Sequence, residues 1–210
     1  MKEKVCYIVG AGSFDNTVFN VQKDDCVIAA DGGYKYLEKL NINPDLLLGD
    51  FDSLDEIPIH PNIIKHPKQK DDTDMMLAVK TGLELGYKCF VIYGGLGGRL
   101  DHTMANIQTI THLSRQGAKA YLVGEGIVIT AVTNGKIEFD SSKNGVVSIF
   151  CNGSYAKGVY LKNLKYELNN ATLTSDIPIG VSNEFIGKDS TVTVNDGTLV
   201  VMWSENNFGT

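Results

Sequence analysis

Residues 89–123 read CFVIYGGLGGRLDHTMANIQTITHLSRQGAKAYLV, and the order of these pieces decides the fold. Cys89–Tyr93 is a run of apolar residues too short for a helix and without polar alternation, the mark of a strand buried on both faces. A glycine-rich loop, Gly94–Gly98, follows it. Beyond the loop the spacing predicts a helix over His102–Gln116, with Gly117 just past its end where a left-handed cap is wanted. A second apolar run, Ala118–Val123, closes the unit. Strand, loop, helix and strand in that order build a parallel sheet covered by helices.

The same alternation extends upstream. Val5–Val9, Cys26–Ala30, Asp45–Leu48 and Asn62–Lys65 read as further buried strands, and Tyr34–Leu40 and Thr73–Leu85 as helices. After residue 125 the helical period is lost. Short strands are expected at Ile127–Thr133, Lys136–Phe139, Val146–Phe150, Gly158–Leu161, Ala171–Leu173, Gly180–Phe185, Ser190–Val194 and Leu199–Trp203. Asn134-Gly135, Asn144-Gly145, Asn152-Gly153 and Asp196-Gly197 are turn signals of the kind that close β-hairpins. The expected architecture is therefore α/β followed by β: a mostly parallel α/β domain over residues 1–124, then an antiparallel β-sandwich over 125–210.

Composition narrows the function. Nineteen Lys and Arg against 25 Asp and Glu give a net charge of −6, which argues against a general nucleic-acid or anionic-membrane binder. No apolar run reaches the ~18 residues of a membrane span, and Met1-Lys2-Glu3-Lys4 leads directly into a strand, so a cytoplasmic protein is expected. The four cysteines, Cys6, Cys26, Cys89 and Cys151, form no CxxC pair and read as reduced, largely buried thiols.

The chemistry-bearing residues fall where strands end, and ligands of an open parallel sheet bind beyond those ends. Gly10-Ala11-Gly12 follows a strand but lacks the third glycine of a dinucleotide fingerprint, so it reads as a tight turn that a ligand could approach. Asp31-Gly32-Gly33 reads as a helix N-cap in the same crevice, with a binding role left open. Asp50-Phe51-Asp52 offers two carboxylates to one hard cation, or else a solvated acidic turn; the intervening aromatic weighs against the latter. Asp71-Asp72-Thr73-Asp74 supplies more acid than one helix cap needs, and a cation would relieve the repulsion. Lys68 and Lys70 precede it, as phosphate contacts or as simple charge balance. The glycines of Gly94–Gly98 let backbone amides approach an anion, and Arg99 adds a planar fork for phosphate oxygens unless it merely pairs with Asp101. His102 reads as a helix-start residue, and the histidines show no zinc spacing. Acids for magnesium beside amides and an arginine for polyphosphate suit a nucleotide-dependent transferase.

Five motifs in this order carry a resemblance. Asp31-Gly32-Gly33, Gly49-Asp50-Phe51-Asp52-Ser53, Asp71-Asp72-Thr73-Asp74, Gly94–His102 and Ser182-Asn183-Glu184 resemble the thiamine pyrophosphokinase (thiamine diphosphokinase) family over nearly the whole chain. The resemblance implies a Mg²⁺-dependent enzyme that moves a pyrophosphoryl group from ATP to the hydroxyl of thiamine, giving thiamine diphosphate and AMP. It implies a homodimer with the vitamin held between the α/β part of one subunit and the β part of the other. Carried over, Asp50, Asp52 and Asp74 face the metal, and Asp31, Gly32, Thr73, Gly95, Gly97 and Arg99 face the nucleotide. Asp71, Asp101 and Arg99 stand at the reacting end, and Ser182 and Asn183 in the thiamine pocket. Trp203 is offset from the position where relatives stack an aromatic on the vitamin, so a core role is the other reading; Lys70 replaces a side chain that is neutral in some relatives. A pyrophosphokinase for another hydroxymethyl heterocycle, such as a pterin, would keep the acids and change the β pocket. A metal-dependent phosphohydrolase and a non-enzymatic thiamine- or nucleotide-binding module are the remaining alternatives.

Overall fold

A computed structural model describes residues 3–14, 19–51, 60–65 and 71–205 of the chain. Asp52, Ser53, His66, Lys68 and Lys70 lie outside the described residues. Among the described residues the chain forms two compact units, one holding the residues up to Thr109 with Ala120–Glu125, the other holding Ile110–Lys119 with residues 126–205.

In the first unit, strands without polar alternation are covered on both faces. Every residue of β1 (Val5–Val9), β2 (Cys26–Ala30) and β5 (Cys89–Tyr93) is buried. With β3 (Leu46–Gly49), β4 (Ile63–Lys65) and β6 (Lys119–Gly124) they form a sheet of order β6-β5-β1-β2-β3-β4. The ladders joining β5, β1, β2, β3 and β4 are all parallel. The helices are α1 (Tyr34–Lys39), α2 (Asp74–Glu84) and α3 (Leu100–Arg115), and the division between the units passes through α3. The buried side of α2 carries Met75, Ala78, Val79 and Gly82, and a Cβ on Gly82 would lie 2.6 Å from the Phe90 ring and 3.0 Å from Cys6 Sγ. That close approach seats α2 directly on β1 and β5. The chain steps outward from β1 to β4 and then returns to the other side of β1 as β5, so the strand order reverses between β1 and β5. A crevice opens at such a reversal, beyond the carboxyl ends of the strands. Among the described residues no helix is long and apolar enough to cross a membrane.

The second unit is antiparallel, as expected, but two of its strands are much longer than the turn signals suggest. Ile127–Thr133 and Lys136–Phe139 are one strand, β7 (Ile127–Phe139), and Ser190–Val194 and Leu199–Trp203 are likewise one strand, β12 (Ser190–Ser204). Asn134-Gly135 and Asp196-Gly197 therefore bend these strands instead of closing hairpins. Between the pairs Val194↔Gly135 and Thr198↔Thr133, β12 spends four residue steps against two on β7, a bulge. The Asn134 side-chain oxygen accepts from the Gly197 amide at 2.9 Å and fixes the bend. β8 (Val146–Cys151) pairs with the C-terminal half of β12, whereas β9 (Tyr155–Lys162) pairs mainly with its N-terminal half and carries β10 (Leu168–Thr174) on its other edge. Of the strand expected over Gly180–Phe185, Asn183–Glu184 (β11) pairs with β8, and Phe185 makes an isolated bridge to Leu164.

One aromatic contact shows that the bent ladder folds over its own core. Trp203 pairs with Val128, eleven positions from Phe139 along β7, which is ~36 Å in a straight strand. Yet the Phe139 and Trp203 rings meet edge to face with centroids 5.2 Å apart. Only a ladder doubled back as a sandwich brings them together. Trp203 is 5% exposed, so the sole tryptophan packs into the core of this unit.

Candidate active site

The loops leaving β1 and β5 meet at the strand-order reversal and are laced together by their backbones. Gly10 N donates to Tyr93 O, Gly12 N to Gly94 O and Ser13 N to Leu96 O, each at 2.8 Å. There is no room for side chains between them: a Cβ on Gly12 would lie 2.5 Å from Leu96 O and 2.7 Å from Gly94 O. Gly94 has φ +63°, and its Cβ would enter the Gly10 carbonyl. The glycines of Gly10-Ala11-Gly12 are thus explained by the neighbouring loop. Two side chains brace the junction from outside, Ser13 Oγ donating to Glu125 Oε1 at 2.9 Å and the Tyr36 hydroxyl to Gly12 O at 2.9 Å.

The loops border an open cleft of about 450 Å³. Asp31, Thr73, Asp74, Gly95, Gly97 and Arg99 line it, together with His102 and Asn106. Most of the expected nucleotide-facing residues therefore share one space, with Asp74 from the metal set. Asp50, Asp71 and Asp101 are not in its lining.

Each acid has its own local cause. Asp31 is not the N-cap of α1: it occupies a 3₁₀ turn at φ +49°, and Gly33 is the N-cap, with no side-chain cap. A non-glycine residue held in that region stores strain, which is characteristic of ligand-facing turns. Gly49 packs against it so closely that a Cβ would lie 3.0 Å from Asp31 Cα, which brings the start of the Asp50 loop beside Asp31. Phe51 is buried, at φ +59°, and anchors that loop. Thr73 caps α2, accepting from the Met76 amide at 3.1 Å, and Asp74 sits in the first turn where the helix dipole favours an anion. Asp72 is neutralised by Lys80 at 2.5 Å, two turns along, so the repulsion inside Asp71–Asp74 is partly relieved by the protein itself.

Arg99 and Asp101 do pair. Arg99 Nε donates to Asp101 Oδ1 at 3.2 Å and Nη2 to Oδ2 at 2.6 Å. The Arg99 hydrogen bonds hold the Asp101 carboxyl below the ordinary carboxylate range and push the guanidinium pKa up. Asp101 Oδ1 also accepts from the His102 amide at the entry to α3.

In the second unit Ser182 is exposed at φ +57°, and its amide donates to Ser148 Oγ at 3.1 Å. Asn183 is buried and its carboxamide is occupied: Nδ2 donates to Tyr166 O, and Oδ1 accepts from the Tyr166 and Glu184 amides. Asn183 thus shapes the surface next to Ser182 and ties down Tyr166.

Sequence reasoning missed Asn106, Glu125, Tyr36 and the Lys80 partner of Asp72. Asn106 left a signal, a polar residue in helical register with Arg99 and His102. Among the described residues no three His, Cys, Asp or Glu side chains gather into a metal cage. The carboxylates available to a cation are those of Asp31 and Asp74 in the cleft and Asp50 at the end of β3. That suits Mg²⁺, which takes one or two carboxylates and leaves its other positions to water and phosphate.

Comparisons with known proteins bear on both units. The family model described as thiamin pyrophosphokinase, catalytic domain, matches residues 20–122, and that described as thiamin pyrophosphokinase, vitamin B1 binding domain, matches residues 134–199. Thiamine pyrophosphokinase of Bacillus subtilis (strain 168) is 28% identical over 184 residues, covering 84% of this chain and 86% of its own length. Thiamin pyrophosphokinase 1 of Caenorhabditis elegans is 26% identical over 154 residues, covering 67% of this chain and 62% of its own length. The crystal structure of thiamine pyrophosphokinase from Bacillus subtilis matches with a TM-score of 0.85 at 26% identity, over 97% of this chain and 100% of that chain.

Proposed function

Because this chain belongs to the thiamine pyrophosphokinase family, we propose that it transfers the terminal pyrophosphoryl group of ATP to the hydroxyl of thiamine, giving thiamine diphosphate and AMP. The observation that carries this reading is the cleft at the β1/β5 reversal, where Asp74, Arg99 and the laced glycine loops face one space. In this reading residues 1–124 take ATP and residues 125–210 take the vitamin. Asp50, Asp52 and Asp74 hold Mg²⁺, which when bound neutralises triphosphate charge.

The chain's own groups do the rest. Glycine-loop amides, with Gly95 and Gly97 at the cleft, accept the polyphosphate, while Asp31, Gly32 and Thr73 border the nucleotide. Arg99 binds phosphate oxygens and stabilises the charge that builds as the bond to AMP breaks. Asp101, kept ionised by Arg99, orients the guanidinium. Asp71 or Asp101 accepts the alcohol proton, which leaves late in a loose transition state and needs no strong base. Ser182 faces thiamine, with Asn183 shaping the pocket behind it. The exposed apolar side chains of Tyr166, Ile177, Ile179, Val181 and Ile186 support a homodimer that closes over the vitamin. The enzyme works in the cytoplasm, where cysteines without disulfides are the rule.

Incubation of the protein with ATP, Mg²⁺ and thiamine, followed by mass spectrometry, tests the reading. AMP and thiamine diphosphate are expected in equal amounts. ADP or free phosphate without thiamine diphosphate, or AMP formed only with a pterin acceptor, would overturn it.

A further inference from the structure

Three successive carbonyls of the β5 glycine loop are pinned. Gly94 O accepts from Gly12 N and Leu96 O from Ser13 N, both backbone donors of the β1 loop. Between them, Gly95 O accepts from Asn106 Nδ2 at 2.8 Å, the one pin of the three made by a side chain. Asn106 is 7% exposed and lines the cleft from α3, in register with Arg99 and His102. Since its partner is a carbonyl, the amide nitrogen must take that side, and Oδ1 is turned away from Gly95. Gly95 is also closely packed, since a Cβ there would meet Leu122 at 2.9 Å, Ile92 at 3.3 Å and Asn106 Nδ2 at 3.5 Å. The peptide plane between Gly95 and Leu96 is therefore clamped, and a planar trans peptide that fixes its C=O fixes its N–H as well.

We propose that Asn106 is a positioning residue for nucleotide binding: by holding the Gly95 carbonyl it sets the orientation of the loop amides and the start of the segment that delivers Arg99. The inference rests on the kinase reading, since it needs polyphosphate as the loop's ligand. Preorganised donors lose no energy to reorganisation when an anion arrives, so releasing the clamp weakens nucleotide binding more than it weakens chemistry.

The test compares the parent with Asn106→Asp, which keeps the size but cannot donate, and with Asn106→Ala. ATP–Mg²⁺ affinity is measured by calorimetry without thiamine, and KM for ATP, KM for thiamine and kcat are measured in turnover. Asn106→Ala should weaken Kd and KM for ATP about tenfold, as expected for one lost hydrogen bond, and Asn106→Asp by at least as much because it also adds a charge, while the thiamine KM and kcat stay within about threefold. Thr109→Ala serves as the control for stability. Thr109 is buried on the same helix and bonds back to Ala105 O at 3.0 Å, so its loss destabilises α3 without touching the loop. The control should lower the melting temperature and leave ATP affinity unchanged. A folded Asn106 variant that binds ATP like the parent overturns the proposal, as does a control that weakens ATP binding equally. A parent that binds ATP but forms no thiamine diphosphate refutes the kinase reading alone, and the calorimetric series still decides the role of Asn106. A parent that does not bind ATP refutes both.

Discussion

The Arg99–Asp101 pair shows how one contact can matter to chemistry and hardly at all to stability. Both side chains are well exposed, 72% and 64%, so solvent screens their attraction. Arg99 depresses the Asp101 pKa in the folded chain. Whatever the pair adds to stability is then present above the ordinary carboxylate value of ~3.9 and is lost as pH falls through the lower folded value. Neither group titrates near neutrality. Asp101→Asn should therefore leave the melting temperature unchanged between about pH 6 and 9, while turnover falls by roughly 10²-fold or more because Arg99 loses its orienting partner. Parallel thermal melts and initial rates across that range check it. A variant with full activity would show that Arg99 needs no help from Asp101.

At the scale of elements, legibility depended on whether a local signal had one structural use or several. β1, β2 and β5 match their expected bounds because an unbroken apolar run can only sit where both faces are covered. The glycines beyond β1 and β5 were legible as tight backbone, although not as backbone pressed on backbone. Asn-Gly and Asp-Gly misled in β7 and β12, since a residue tolerant of positive φ can close a hairpin or bend a long strand. The choice is made by the partner strand's register, which no local window contains. Lys80 and Asn106 were missed for a similar reason: a polar residue on a helix declares its type but not its target. Asp52 and Lys70 lie outside the described residues. The bend makes its own prediction, because it is what brings Phe139 onto Trp203. Trp203→Ala should cost about 3–5 kcal/mol of stability by opening the sandwich core, whereas Trp203→Phe keeps most of the packing and leaves the thiamine KM unchanged. Denaturant melts and thiamine saturation curves measure both. A large rise in thiamine KM for a stable Trp203→Phe protein would return the ring to the vitamin site.

On the scale of the whole molecule, charge and core are kept apart. The chain carries a net charge of −6, and the proposed reading brings an anionic triphosphate to Asp31, Asp50 and Asp74. Like charges repel, and the cation placed there in the proposed reading offsets them. The apolar cores have no such dependence: Ile8, Ile28, Leu47 and Ile92 in one unit and Val147, Ile149, Val159 and Val201 in the other are fully buried. Chelation should consequently separate function from folding. With EDTA in excess, formation of AMP and thiamine diphosphate should stop, the thermal melt should superimpose on that of the untreated protein, and Mg²⁺ should restore activity. Asp74→Asn should raise the Mg²⁺ concentration for half-maximal rate about tenfold or more without altering the melt, because asparagine keeps an oxygen ligand but not its charge. Activity that persists in EDTA would remove the metal from the mechanism. A melt that collapses in EDTA would mean that the ion holds the fold together, and the strand-end acids would then be structural ligands.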